Sequence, residues 1–63
     1  MSIGMQIKKH RIDNGLTQKV LANKAKNLTQ SQISKIETGN RKVTVTELSK
    51  FQRILNIPID ELI

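Results

Sequence analysis

The chain has 63 residues, of which 11 are lysine or arginine and 5 are aspartate or glutamate, so its formal net charge is +6. This length fits one domain, residues 1–63, and leaves no room for a deep catalytic cleft. The absence of cysteine excludes disulfides and thiolate metal sites, and no apolar run is long enough to span a bilayer. A small basic domain favours a polyanion as its partner, although the same charge could serve solubility alone.

The first two helices are predicted from apolar residues at helical spacing. Ile3 and Ile7 lie one turn apart and indicate a helix over about residues 4–14. The hydroxyl of Thr17 can accept from a free first-turn amide, so Thr17 is the expected N-cap of a helix over about residues 18–26. The residues of this second helix that we expect to face the core are Leu21, Ala22 and Ala25.

The third helix is bounded by a start signal and a stop signal. The expected break after the second helix is Lys26–Asn27, because Asn27 tolerates the left-handed conformation that ends helices. Thr29 and Gln32 have the spacing of a capping box, which predicts a helix over about residues 30–38. Gly39 then ends this helix. Its expected core residues are Ile33 and Ile36.

Two further helices complete the predicted fold. Thr44 and Glu47 form a second capping box ahead of a helix over about residues 45–55. Pro58 can start a short fifth helix that ends at Leu62. The expected core residues of the fourth helix are Leu48, Phe51 and Leu55. The sequence therefore predicts an all-α protein, a compact bundle of five helices.

The second and third helices are separated by about four residues, which is the spacing of a helix-turn-helix. With its isoleucines facing the core, the third helix turns Ser31, Lys35 and Thr38 outward, and Gln30 projects from its first turn. Amide, hydroxyl and ammonium groups can hydrogen-bond base edges in a DNA major groove. An ordinary solvated helix face is the alternative interpretation.

Three segments carry a family resemblance. "GLTQKVLANKA", "SQISKIETGNRK" and "LNIPIDELI" occur in the same order as the second helix, the recognition helix with its loop, and the closing segment of the Cro/cI-type (XRE) helix-turn-helix regulators of bacteria and phages. The chain thus resembles a lambda-repressor-like domain. Its turn, "AKNLTQ", is one residue longer than the common pattern and lacks the usual glycine, and in this it is similar to Rgg/MutR-type regulators.

The resemblance implies roles for individual residues. Arg11 and Glu37 match a pair that forms an internal ion pair in phage relatives. Gln18 matches a residue that contacts a phosphate and braces the recognition helix. The implied base-reading positions are Thr29, Gln30, Ser31, Ser34 and Lys35. The implied phosphate-binding positions are Gln18, Lys19, Asn40, Arg41 and Lys42.

The resemblance also implies a homodimer on a near-palindromic operator. The candidate dimer surface is the apolar segment Ile57, Pro58, Ile59 and Ile63. Some of these residues could instead close the core of the monomer, and Ile57 and Leu62 are the strongest candidates for that. His10 has no second metal ligand or nucleophile near it in sequence, so we expect a packing residue, with no metal and no cofactor.

The predicted function is a sequence-specific, double-stranded DNA-binding regulator, most simply a repressor, in a bacterial or phage-infected cytoplasm. An enzyme is disfavoured because the chain has one histidine, no cysteine, no Gly-rich phosphate loop and no clustered carboxylates. The alternative is an antitoxin-like module that binds a protein partner as well as operator DNA. RNA binding is disfavoured because it usually requires aromatic side chains that stack on bases, and Phe51, the only aromatic residue, is expected in the core. Binding to a membrane surface is disfavoured because no predicted helix has the wide apolar face that it requires.

Overall fold

The computed structural model describes residues 2–62 and contains four α-helices: α1 (Ile3–Asp13), α2 (Gln18–Ala25), α3 (Gln30–Glu37) and α4 (Val45–Leu55). A 3-10 turn, η1 (Ile59–Glu61), follows, and no strand occurs within this range. The helices lie within one residue of their predicted positions. None of those described is long and apolar enough to cross a membrane.

The prediction of a fifth helix was wrong. After Pro58 the Glu61 amide donates to the Pro58 carbonyl, and the Leu62 amide donates to the Ile59 carbonyl. Both bonds span three residues, which is the 3-10 pattern, and the segment is too short to form a stable α-helical turn. The all-α class is correct, but the bundle consists of four helices and this closing turn.

Side-chain caps begin each of the four helices. The hydroxyls of Thr17, Thr29 and Thr44 accept from the backbone amides of Val20, Gln32 and Glu47, respectively. Both predicted capping boxes are present. Ser2 caps α1 by accepting from the Met5 amide, and this cap explains why α1 starts one residue before the predicted position.

The bend between α2 and α3 lies at the predicted break, Lys26–Asn27, although the left-handed residue was expected to be Asn27. Lys26, rather than Asn27, has a positive φ, with φ 70° and ψ −46°. The Asn27 amide donates to the Ala25 carbonyl over 2.8 Å, so the backbone forms a γ-turn centred on Lys26. This backbone conformation is strained for a residue that has a β-carbon. The bend leaves Leu28 buried against the core.

The core is a single apolar cluster to which all four helices contribute. Its fully buried side chains are Ile7, Leu21, Ile33, Ile36, Phe51 and Leu55. Leu48 is only partly buried and packs against the edge of this cluster. Ile3, which lies one turn before Ile7, is 38% exposed. The inner face of α1 instead contains Gly4, which is buried.

Gly4 allows α1 to approach α3 closely. A β-carbon at Gly4 would overlap the carbonyl oxygen of Ile36, which is backbone and cannot turn aside. We therefore expect Gly4→Ala to lower the free energy of unfolding by about 2 kcal/mol through overpacking. Urea denaturation of G4A beside the exposed control Ser49→Ala measures this. A stabilised G4A, as a glycine in an unconstrained helix would give, contradicts the close approach.

Candidate nucleic-acid interface

The outer face of α3 presents the polar side chains that were predicted to contact bases. Gln30, Ser31 and Lys35 are exposed, while Ser34 is half-buried at the edge of the face. Thr29 is exposed at the N-cap, where its oxygen accepts from the Gln32 amide and leaves its hydroxyl hydrogen for another acceptor. These five residues therefore form one continuous polar surface, which we call the reading face (Thr29, Gln30, Ser31, Ser34 and Lys35).

A buried carboxylate fixes α3 against α1 and α2. Arg11 Nε lies 2.6 Å from Glu37 Oε2, and Arg11 Nη2 lies 3.1 Å from Glu37 Oε1. Gln18 Nε2 donates to the same Oε1 over 3.1 Å. Arg11 Nη1 donates to the Leu16 carbonyl over 2.8 Å. Because the Glu37 side chain is only 2% exposed, this network (Arg11, Leu16, Gln18 and Glu37) links three elements through a dry site and sets the orientation of α3.

Gln18 and Lys19 lie in the first turn of α2. One amide hydrogen of Gln18 is donated to Glu37, and this contact braces α3 from α2. The Gln18 side chain is half-buried, and Lys19 beside it is exposed. The first-turn amides of α2 and the positive end of its helix dipole lie at the same place, so this end of α2 is electrostatically suited to a phosphate.

The three predicted phosphate-binding residues of the loop after α3 differ in their contacts. Arg41 forms two hydrogen bonds of 2.9 Å with the carboxylate of Glu47 on α4. Asn40 donates to the hydroxyl of Thr38 over 3.1 Å. Lys42 is exposed. A guanidinium held by a carboxylate carries little net charge outward, so Lys42 is the predicted phosphate-binding cation of this loop that is exposed and has no carboxylate bonded to it among the described contacts.

The sequence reasoning missed the Arg41–Glu47 pair. Glu47 was recognised only as the partner of Thr44 in the capping box, and it makes that contact as well, since the Thr44 amide donates to Glu47 Oε1. Hydrogen bonds from Arg41 lower the pKa of Glu47 from 4.5 to about 2, and the Thr44 amide adds to this effect against an opposing contribution from burial. The same pairing raises the pKa of Arg41.

Because the pKa of Glu47 is low in the folded protein, the free energy of unfolding should decrease as the pH falls. A carboxyl whose pKa is depressed by folding stabilises the protein above the unfolded pKa of 4.5 and loses that effect as the pH falls toward about 2. Because both side chains are partly exposed, screening limits the contribution of Glu47 to about 1 kcal/mol. We expect Glu47→Gln, which keeps the capping box, to be less stable by this amount at pH 7 and equal to the wild type near pH 2. Urea denaturation at both pH values measures it, and a pH-independent difference contradicts it.

The predicted dimer segment is partly buried. Ile57 is only 3% exposed and lies in the core, so its side chain is not available for a dimer surface, and that assignment was wrong. Leu62 is also in the core. Pro58 is exposed and Ile59 is 55% exposed. Ile63, the remaining residue of the predicted surface, lies outside the described residues.

His10 lies half-buried on α1, and its Nε2 is 3.2 Å from Glu61 Oε1 in the closing turn. This contact ties the end of the fold to its first helix, which suits the packing role predicted for His10. Among residues 2–62, no group of three or more histidine, cysteine, aspartate or glutamate side chains is placed to hold a metal ion.

Comparison with known proteins assigns the fold to a family. The helix-turn-helix family model matches residues 7–62, which is most of the chain. The chain belongs to the helix-turn-helix family. This membership confirms the resemblance to the Cro/cI-type regulators drawn from the motifs, and it agrees with the prediction that the chain is not an enzyme. Among curated proteins, no relative matches.

Solved structures give this helix-turn-helix chain close counterparts. The wild-type restriction-modification controller protein C.Esp1396I is 36% identical, with a TM-score of 0.78 over 89% of this chain and 72% of that one. A single-site mutant of it is 34% identical, with a TM-score of 0.80 over 94% and 75% of the two chains. Its tetramer in complex with its natural 35 base-pair operator is 36% identical, with a TM-score of 0.76 over 89% and 72%.

Proposed function

We propose that residues 1–63 form a single DNA-binding domain of a transcription regulator that binds a specific double-stranded site. The observation that carries this proposal is the reading face, a set of polar side chains on a helix whose only acidic residue, Glu37, is turned inward and paired. A carboxylate on that face would repel phosphates, and its removal into the core leaves donors and one cation outward. The operator complex of the similar controller protein supports the same role.

The chemistry of the reading face suits the major groove. The amide of Gln30 can bond an adenine edge through two atoms, and the ammonium of Lys35 can donate to the acceptors of guanine. The hydroxyls of Ser31 and Ser34 both donate and accept, so they suit several bases. Two buried isoleucines hold the opposite side of α3 in the core, which keeps these side chains directed outward.

Affinity in this proposal comes from phosphate contacts on either side of the reading face. Gln18 and Lys19 lie at the amino end of α2, and Lys42 lies in the loop after α3. Neutralising phosphates releases counterions, so binding weakens as salt rises. Base contacts then select the sequence from among the sites to which this charge brings the protein.

Lys42 and Arg41 should differ in their contributions to this salt dependence. We expect Lys42→Gln to reduce the slope of log affinity against log salt by about 0.9 per protomer, the value for one phosphate contact. Arg41→Gln should change the slope less, because Arg41 is already paired with Glu47. Titrations of a random-sequence duplex at several salt concentrations measure both slopes, with Lys8→Gln on α1 as the charge-matched control. Equal slopes for K42Q and the wild type contradict a phosphate contact.

We further propose that the domain acts as a homodimer on a near-palindromic operator. Pro58 and Ile59 are exposed and apolar at the start of the closing turn, and Ile59 is one of six exposed large hydrophobic residues among residues 2–62. A two-fold pair would place two α3 helices about one turn of DNA apart. A dimer bound across a promoter would exclude RNA polymerase, so repression in the cytoplasm is the simplest regulatory outcome.

The test is selection from a random duplex pool by the purified chain at near-physiological salt. A pair of inverted half-sites about one helical turn apart is the expected result. Salt-labile binding that enriches no sequence would contradict the proposal, because it would mean that the positive charge attracts DNA without reading it.

A further inference from the structure

A basic cleft lies between the end of α2 and the outer side of α4. Its volume is about 350 Å³, and its walls are formed by Lys24, Ala25, Lys26, Lys50, Arg53 and Ile54. Lys24 and Lys26 come from the end of α2 and the γ-turn, whereas Lys50 and Arg53 are three residues apart on one side of α4. Ala25 and Ile54 give the cleft an apolar floor. The fold thus collects four cations from two parts of the sequence.

Within residues 2–62, no acidic side chain lines this cleft to neutralise its charge. The chain has five acidic residues, and none of them lines the cleft. Three of these residues are engaged elsewhere, with Glu37 bonded to Arg11, Glu47 to Arg41 and Glu61 to His10. Lys50 Nζ lies 3.4 Å from the Ala25 carbonyl and so faces the negative end of the α2 dipole. That end is equivalent to about half a charge, which leaves most of the four positive charges unbalanced.

We propose that this cleft is a docking site for an acidic segment of a partner protein, one that combines carboxylates with an apolar side chain. The four cations suit several carboxylates, and the floor of Ala25 and Ile54 suits the apolar group. A small phosphate ligand fits less well, because phosphate sites use backbone amides and helix N-termini, whereas a helix C-terminus borders this cleft. Three of the four cations are lysines. A lysine ammonium acts as a point charge and can pair with a carboxylate in many geometries, which suits an extended segment.

The cleft is separate from the proposed DNA contacts. The phosphate site of α2 lies at Gln18, and the cleft lies at Ala25, at the opposite end of the same helix. Eight residues of α-helix place these ends about 10 Å apart. The cleft also borders Lys26, whose strained backbone connects α2 to α3. A partner seated there would therefore contact the helix-turn-helix motif at the end of α2 opposite the proposed phosphate site.

The experiment measures binding of a fluorescein-labelled peptide of four Asp-Leu-Glu repeats to the full chain. The test variant is Lys24→Gln with Arg53→Gln, which removes one exposed cation from each wall. The control is Lys8→Gln with Lys9→Gln, which removes two exposed cations from α1. We expect K24Q/R53Q to weaken peptide binding about tenfold and K8Q/K9Q about twofold. The two variants should bind a random-sequence duplex equally.

Circular dichroism melting tests whether each variant is folded. Arg53→Gln alone provides a milder variant, with an expected loss of peptide affinity of about threefold. Equal loss of peptide binding in both double variants would overturn the proposal, because it would show a response to net charge alone. A selective loss of duplex binding in K24Q/R53Q would overturn it by placing the cleft in the DNA surface. Displacement of the peptide by less inorganic pyrophosphate than unlabelled peptide would overturn it in favour of a small-anion site.

Discussion

Replacing Arg11 by methionine is expected to lower the free energy of unfolding by about 3 kcal/mol, because it leaves a buried carboxylate without its charge partner. Glu37 accepts two hydrogen bonds from Arg11, and its side chain is 2% exposed. Gln18 alone cannot replace a guanidinium. A 63-residue domain is stable by only a few kcal/mol, so this loss should leave much of R11M unfolded at physiological temperature.

Urea denaturation of R11M beside Lys9→Met measures the effect. Lys9 is an exposed cation of the same helix, so K9M controls for the change of side chain and of net charge. The double variant R11M/E37M should recover part of the loss, since a buried pair replaced by apolar side chains is often tolerated. A loss in R11M that does not exceed the loss in K9M would show that the network does not hold α3 in place.

Replacing Gln30 or Lys35 by alanine is expected to reduce affinity for the selected operator by roughly 5- to 150-fold, which corresponds to one lost base contact of about 1–3 kcal/mol. Both side chains are exposed on the reading face, and neither lies in the core. Affinity for a random-sequence duplex should fall less than about threefold, because most nonspecific binding comes from other cations. Stability should be almost unchanged.

The matched controls are Asn23→Ala for the amide and Lys8→Ala for the cation, both of which are exposed residues outside α3. Anisotropy titrations of each variant against operator and random duplex give the specificity ratio directly. If Q30A and K35A lose equal amounts on the two duplexes, the residues contact DNA without reading bases.

Local signals made most of the fold predictable. The spacing of Thr29 and Gln32, and of Thr44 and Glu47, marked the starts of α3 and α4, because a capping box involves residues only three positions apart. The buried faces of α2 and α3 followed from the helical period for the same reason. Ser2 was an available cap signal that the sequence reasoning did not use.

What could not be predicted depends on contacts between distant segments. The burial of Gly4 depends on the Ile36 carbonyl in another helix, which sequence spacing cannot show. Arg41 was assigned to phosphate by the family resemblance, whereas the position of Glu47 beside it depends on how α4 packs against the loop.

The basic cleft is a further case, since Lys24 and Arg53 are far apart in sequence and no motif connects them. The closing segment differs, because Ile57 and Leu62 were already the strongest candidates for the core and both are buried, whereas Ile59 is exposed.

The most direct test of the central claim, that α3 reads bases in the major groove, is an intermolecular nuclear Overhauser measurement on the isotope-labelled chain bound to its selected duplex. We expect contacts from the side chains of Gln30, Ser31 and Lys35 to thymine methyl and cytosine H5 protons, which line the major groove. Contacts confined to sugar protons or to adenine H2 in the minor groove would contradict it.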